Sequence, residues 1–137
     1  MSDVDPQNNE LLDAINQDAG QLIHHLRCSH APDEALAQAT AHIRQAMEVL
    51  RPWLKQGEGW STISIASDTP GFAWRDDDLT AVMAYSPVSG KRNPIAPPIK
   101  MWKHGNEVLG EAIFSPTYAG PPDSVHGGII AAVFDEV

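Results

Sequence analysis

The chain reads as an α+β fold, with helices and strands segregated along the sequence instead of alternating. Three observations carry that expectation. Apolar residues recur at helical spacing between Leu11 and Leu50. Beyond Gly57 and Gly59, short runs rich in β-formers follow one another, separated by Gly, Pro and Asp clusters. A final apolar run, Ile129 to Phe134, opens behind a glycine pair.

Asn9 is suited to cap a first helix, because its side chain can accept a backbone N–H of the opening turn. Leu11, Leu12, Ile15, Ala19, Leu22, Ile23 and Leu26 then fall on one face. The segment from Cys28 to Ala31 breaks this pattern, and Pro32 restarts a helix from its first turn. Asp33 and Glu34 lie near the positive end of the new dipole, Leu36, Ile43, Met47 and Leu50 form its stripe, and Pro52 ends it. The two helices are expected to form a hairpin over roughly 9–52. Trp60–Ile65 alternates as a short strand, 67–78 is a loop, and Leu79–Tyr85 is a second strand. The Pro-rich stretch 86–98 is a long connection. Ile99–Lys103 and Glu107–Tyr118 are the arms of a β-hairpin turned at Gly105-Asn106. The organisation expected is a helical hairpin over 1–56 and a second region over 57–137.

Composition narrows the function classes. The 137 residues carry 9 Lys+Arg against 18 Asp+Glu, a net charge of -9, which opposes binding to nucleic-acid phosphates or anionic lipid. With one cysteine, Cys28, no intrachain disulfide can form. The opening residues lack the basic start and apolar core of a signal peptide, and no apolar stretch approaches the ~18 residues of a membrane span. A cytoplasmic protein is expected, with no nucleic-acid or membrane partner.

The chemistry gathers near the end. Pro121, Pro122 and Asp123 halt the preceding strand, and His126-Gly127-Gly128 starts a helix. Glycines here let the backbone turn sharply and let a ligand come close. The first N–H groups of a helix have no partner within it and carry the positive end of its dipole. A polarised carbonyl oxygen fits that position, as an oxyanion hole requires. The helix, apolar nearly all round, is expected to be buried, and Asp135 is then a costly carboxylate at its far end. Glu136 points ~100° away and is expected to face solvent. Gly127 and Asp135 are separated by eight residues, about 12 Å of helix. A carboxylate acting on a carbonyl held at Gly127 has to come within ~3.5 Å of it, directly or through one water. One copy cannot do both, whereas two antiparallel copies can, so the spacing implies a homodimer with shared sites.

The string Tyr118-x-Gly120-Pro121-Pro122-x-x-Val125-His126-Gly127-Gly128-x-x-Ala131-x-x-x-Asp135 resembles the hotdog-fold acyl-CoA thioesterases. The branch it is most similar to holds phenylacetate-pathway and mammalian thioesterase-superfamily members. The stretch from Gly90 to Pro98 is similar to one in bacterial relatives, so the resemblance covers about 85–137. It implies an antiparallel sheet wrapped round a central helix, of which this sequence spans the N-terminal part, the C-terminal half of the domain missing. It further implies hydrolysis of acyl-CoA by water attack, with no metal and no redox cofactor, in a dimer or a dimer of dimers. The Gly127 N–H would polarise the thioester carbonyl and His126 would assist it. Asp135 of the partner subunit would act as general base or nucleophile. Gly128, Asn93 and Tyr118 would contact substrate. Some branches place an Asn upstream of the His; here Gly120 and Asp123 occupy that region.

Blander readings stand beside these. Gly127-Gly128 can be an ordinary helix-opening turn, His126 a capping residue and Asp135 a solvated terminal residue. His24, His25 and His30 lack the spacing of a metal site. Cys28 and His30 lack a group to orient the base, and Asp76-Asp77-Asp78 is most simply a solvated loop. The four tryptophans, Trp53, Trp60, Trp74 and Trp102, suit anchoring positions. Lys91-Arg92 can meet coenzyme A phosphates or solvent. The alternative function is a non-catalytic hotdog relative that binds an acyl ligand or serves in assembly.

Overall fold

The computed structural model describes residues 6–54 and 76–136. Among these residues, three α-helices and a two-stranded antiparallel sheet make an α+β chain. The expected strand Trp60–Ile65, with Trp60 and Trp74, lies outside the described residues, as does most of the loop from Ser67. The chain divides into two compact units. One holds the first helix up to Arg27 together with the described residues from 76 on; the other begins at Cys28 and holds the second helix.

In the first unit, helix α1 (Pro6–Cys28) starts three residues before Asn9, because Pro6 is tolerated in a first turn where no N–H is needed. Its stripe is half used: Leu12, Ala19, Leu22 and Ile23 are partly buried, while Leu11 and Leu26 are exposed. Arg92 Nε donates to Asp13 Oδ1 at 2.6 Å, tying the helix to the 84–98 connection. The helix and this connection also approach closely at Gly20, where a Cβ would lie 3.3 Å from the Pro94 carbonyl oxygen.

The sheet follows turn chemistry. Strands β1 (Ile99–His104) and β2 (Glu107–Ala112) pair in antiparallel register about Gly105-Asn106. Gly105 takes φ 63°, and Asn106 does not share this left-handed geometry, so glycine leads the turn as in type II′ hairpins. Buried Ile99 and Met101 stand opposite Ala112 and Gly110, large against small. Leu79 completes the cluster, and Val88, Ala112 and Val133 pack against it.

Two strand assignments are corrected. Leu79–Met83 is a 3₁₀ helix, not a strand. The Ala81 N–H reaches back to the Asp78 carbonyl, and the buried Thr80 hydroxyl donates to Asp78 Oδ1 at 2.5 Å. A five-residue apolar run has no periodicity that separates strand from helix, and these local bonds decide it. The second hairpin arm ends at Ala112, six residues short of Tyr118, because Pro116 opens a further 3₁₀ turn, capped by Ser115.

In the second unit, helix α2 spans Asp33–Leu50 with Asp33 and Glu34 in its first turn, and Pro32 is its extended N-cap instead of its first helical residue. A 3₁₀ turn, Arg51–Trp53, carries Pro52 and ends the helix where expected. Leu36, Met47, Leu50 and Trp53 are all exposed.

Candidate functional site

The chain reaches the third helix, α3 (Gly127–Glu136), through a tightly folded loop. Ala119 and Val125 form an isolated antiparallel bridge, and the His126 N–H donates to the Tyr118 carbonyl at 2.9 Å. Inside it the Gly120 N–H meets the Ser124 carbonyl at 2.9 Å, and the Ser124 N–H meets that of Pro121 at 3.1 Å. Asp123 absorbs the reversal at φ 61°, a conformation that Asp reaches more readily than most residues. Gly120 has no alternative, since a Cβ there would lie 2.8 Å from the His126 Cα.

His126 caps the helix it precedes. Its Nδ1 accepts the Gly128 N–H at 3.1 Å, and its carbonyl accepts from Ile129 at 2.9 Å and Ile130 at 3.2 Å. This hydrogen bond requires Nδ1 to be bare of hydrogen, so a neutral ring carries its proton on Nε2. The ring lies against Gly128, where a Cβ would come within 3.2 Å of Nδ1. Gly127 is exposed, a Cβ there would meet nothing within 4 Å, and its N–H has no hydrogen-bond partner among the described residues. Of the first amides of α3, one is therefore spent on His126, and that of Gly127 at the positive end of the helix has no hydrogen-bond partner among the described residues.

Beside this helix runs an apolar groove of about 350 Å³, lined by Ile99, Ala112, Phe114, Ile130, Val133 and Phe134. It exists because α3 is not enclosed, which corrects the expectation of a buried helix. No residue of α3 is buried, and Phe134 is 78% exposed. One face packs against the Leu79, Ile99 and Met101 cluster through Val133, and the two strands among the described residues do not surround the helix.

The remaining candidates occupy different places. Asp135 is exposed at the far end of α3, about 12 Å from Gly127 by helical rise, so one chain does not bring them together. Glu136, expected to face solvent, is half-buried instead and accepts hydrogen bonds from Ser86 Oγ at 2.6 Å and Ser89 Oγ at 2.5 Å. Asn93 organises its own turn: its amide nitrogen donates to the Tyr85 carbonyl at 3.3 Å and its Oδ1 accepts from the Ile95 N–H at 3.3 Å. It lines a cavity of about 320 Å³ with Asp13, Gln17, Ser89, Lys91 and Pro97. The Tyr118 hydroxyl donates mainly to the Ala96 carbonyl at 2.7 Å, and burial raises the pKa of its phenol above the ordinary value.

Nearby charges are largely paired. Lys91 meets Asp78, while Arg92 meets Asp13. Burial alone would raise the Asp78 carboxyl, but hydrogen bonds from Lys91 and Thr80 and the Lys91 charge outweigh it and hold the pKa below the ordinary carboxylate value. Among the described residues, no three His, Cys, Asp or Glu side chains converge as a metal site would need, and no helix is long and apolar enough to cross a membrane. Ser86, Ser89 and Glu136 escaped the sequence reading, since serines three residues apart in a Pro- and Gly-rich loop carry no signal of a partner 47 residues further on. Compared with known protein families, with curated proteins and with solved structures, the chain matches none.

Proposed function

We propose that this chain is a hotdog-type acyl-CoA thioesterase whose sites are shared between two copies. The observation that carries the reading is the start of α3: His126 consumes the Gly128 N–H, while exposed Gly127 keeps an N–H with no hydrogen-bond partner among the described residues at the positive helix end. A thioester carbonyl placed there gains a hydrogen bond that strengthens as its oxygen becomes negative. The groove along Ile130, Val133 and Phe134, one turn and more below Gly127, supplies apolar surface for the acyl portion. Asp135 of the partner copy, acting as general base, removes a proton from water as the water oxygen bonds to the carbonyl carbon. The tetrahedral intermediate then collapses, the C–S bond breaks, and the thiolate leaves and takes up a proton. Alternatively the same carboxylate attacks directly and water resolves the anhydride. Neither route needs a metal or a redox group.

A second reading, a binding or assembly module without catalysis, is favoured by one feature. Asp135 is exposed, and among the described residues no side chain holds or activates its carboxylate.

Hydrolysis of acetyl-, hexanoyl- and phenylacetyl-CoA, followed by the freed thiol, separates the two. The enzyme reading expects turnover that falls at least a hundredfold in Asp135→Asn while acyl-CoA still binds. Gly127→Pro, which deletes one N–H at a position where a helix tolerates proline, should cost a comparable factor. Binding without turnover in the unaltered protein would leave only the module.

A further inference from the structure

We propose that Glu136, held by Ser86 and Ser89, is a positioning residue for Asp135. The geometry is independent of the thioesterase reading, and its kinetic consequence rests on it. Ser86 and Ser89 are 2% and 3% exposed, and both hydroxyls point at the same Glu136 oxygen, Oε1. The direction of these bonds is determined. Ser86 Oγ already accepts the Val88 N–H at 3.1 Å and the Ser89 N–H at 3.3 Å, so both lone pairs are committed and its one proton goes to Glu136. A carboxylate accepting two hydroxyls at such short range matches the charge-assisted class of hydrogen bond.

The serines are themselves held. Their loop is closed by the Gly90 N–H on the Ser86 carbonyl at 3.0 Å and the Arg92 N–H on the Ala84 carbonyl at 2.7 Å. It folds so closely that a Cβ on Gly90 would lie 2.5 Å from the Ser86 nitrogen. Through these bonds Glu136 ties α3 to residues 50 and 47 positions earlier.

Fixing Glu136 fixes the rotation of the helix end. Successive helical residues are separated by ~100°, so with Glu136 turned inward Asp135 is turned outward, where it is exposed. That is the orientation a carboxylate needs if it serves a carbonyl held by another copy. Released from the serines, this turn of α3 loses its anchor and Asp135 its fixed direction, without any change in its own chemistry.

The test compares Glu136→Ala, Glu136→Gln and the double change Ser86→Ala/Ser89→Ala with the unaltered protein. It reads amide hydrogen exchange along α3, backbone chemical shifts of Asp135, and kcat and KM on the three acyl-CoA esters above. Expected are exchange in the last turn at least tenfold faster in Glu136→Ala and in the serine pair, and Asp135 shifts moving toward random-coil values. Expected too are kcat at least tenfold lower with KM within about twofold, and no further loss on combining the changes. Glu136→Gln, whose amide oxygen still accepts both hydroxyls, should restore most of the protection. Unchanged exchange, or fast exchange with kcat intact, overturns the proposal. Should the unaltered protein hydrolyse none of the esters, the function fails while exchange and shifts still decide the latch. A general loss of melting cooperativity in the serine pair leaves Glu136→Gln against Glu136→Ala to decide.

Discussion

At the scale of single residues, the two glycines that start α3 are not equivalent. A Cβ on Gly127 meets nothing within 4 Å, whereas one on Gly128 lies 3.2 Å and 3.3 Å from His126 ring atoms. Gly127→Ala should therefore raise stability by up to ~1 kcal/mol through helix propensity. Gly128→Ala should fall short of it by about 1 kcal/mol, because the ring yields and the cap is lost. Thermal melting measures both, and the difference should vanish in a His126→Ala background. Persistence of the difference there would mean that the cap does not cause it. The same cap assigns His126 a structural role, which the sequence allowed beside the catalytic one. Its position was legible, because glycines after a polar residue are a local signal, but the choice of the Nδ1 atom was not.

Between elements, Asp78 is the joint that carries a pH dependence. It accepts from Thr80 in the 3₁₀ helix and from Lys91 in the connection, and its carboxyl is held below its ordinary pKa. A carboxyl depressed by folding contributes stability that is fully present above its unfolded value, about 3.9, and is lost as pH falls through the folded one. At neutral pH the unaltered protein should exceed Asp78→Asn by about 1 kcal/mol or less, since Lys91 is well exposed. The gap should close below about pH 4 in melts run from pH 7 down to pH 2. A gap that stayed constant over that range would assign the effect to the neutral hydrogen bonds alone. The sequence reading made Asp78 the end of a solvated loop and the next residues a strand. Neither the buried Thr80 nor the Lys91 contact is visible in a one-dimensional pattern.

For the whole molecule, the balance of apolar surface matters most. Among the described residues of the first unit the buried apolar ones are Leu79, Ile99 and Met101, while Ile113 is 80% and Phe134 78% exposed. Phe134 borders the apolar groove beside α3, and contiguous apolar surface of this kind marks places that meet a partner. The proposed shared site makes that partner a second copy, with Asp135 of each helix brought to Gly127 of the other. Light scattering should then give twice 14.9 kDa, and dilution should lower mass and specific activity together. Full specific activity in a monomeric fraction would remove the shared site. Phe134→Asp, exposed in the single chain, should shift the equilibrium toward monomer at least tenfold without unfolding the hairpin.

The sequence by itself determined what is decided within a few residues. The β1–β2 turn needs a left-handed residue, which Gly105 supplies; helix α2 gives way after Leu50 to the 3₁₀ turn that holds Pro52; and Gly120, His126 and Gly128 shape the start of α3 by short-range sterics and hydrogen bonds. Tertiary structure decided the rest. Whether Leu79–Met83 is extended or helical, and which of two adjacent carboxylates turns inward, depends on partners far along the chain. Asp135 and Glu136 are chemically alike and differ by one helical step; only the two serines brought up from the 84–93 loop bury one and leave the other in water.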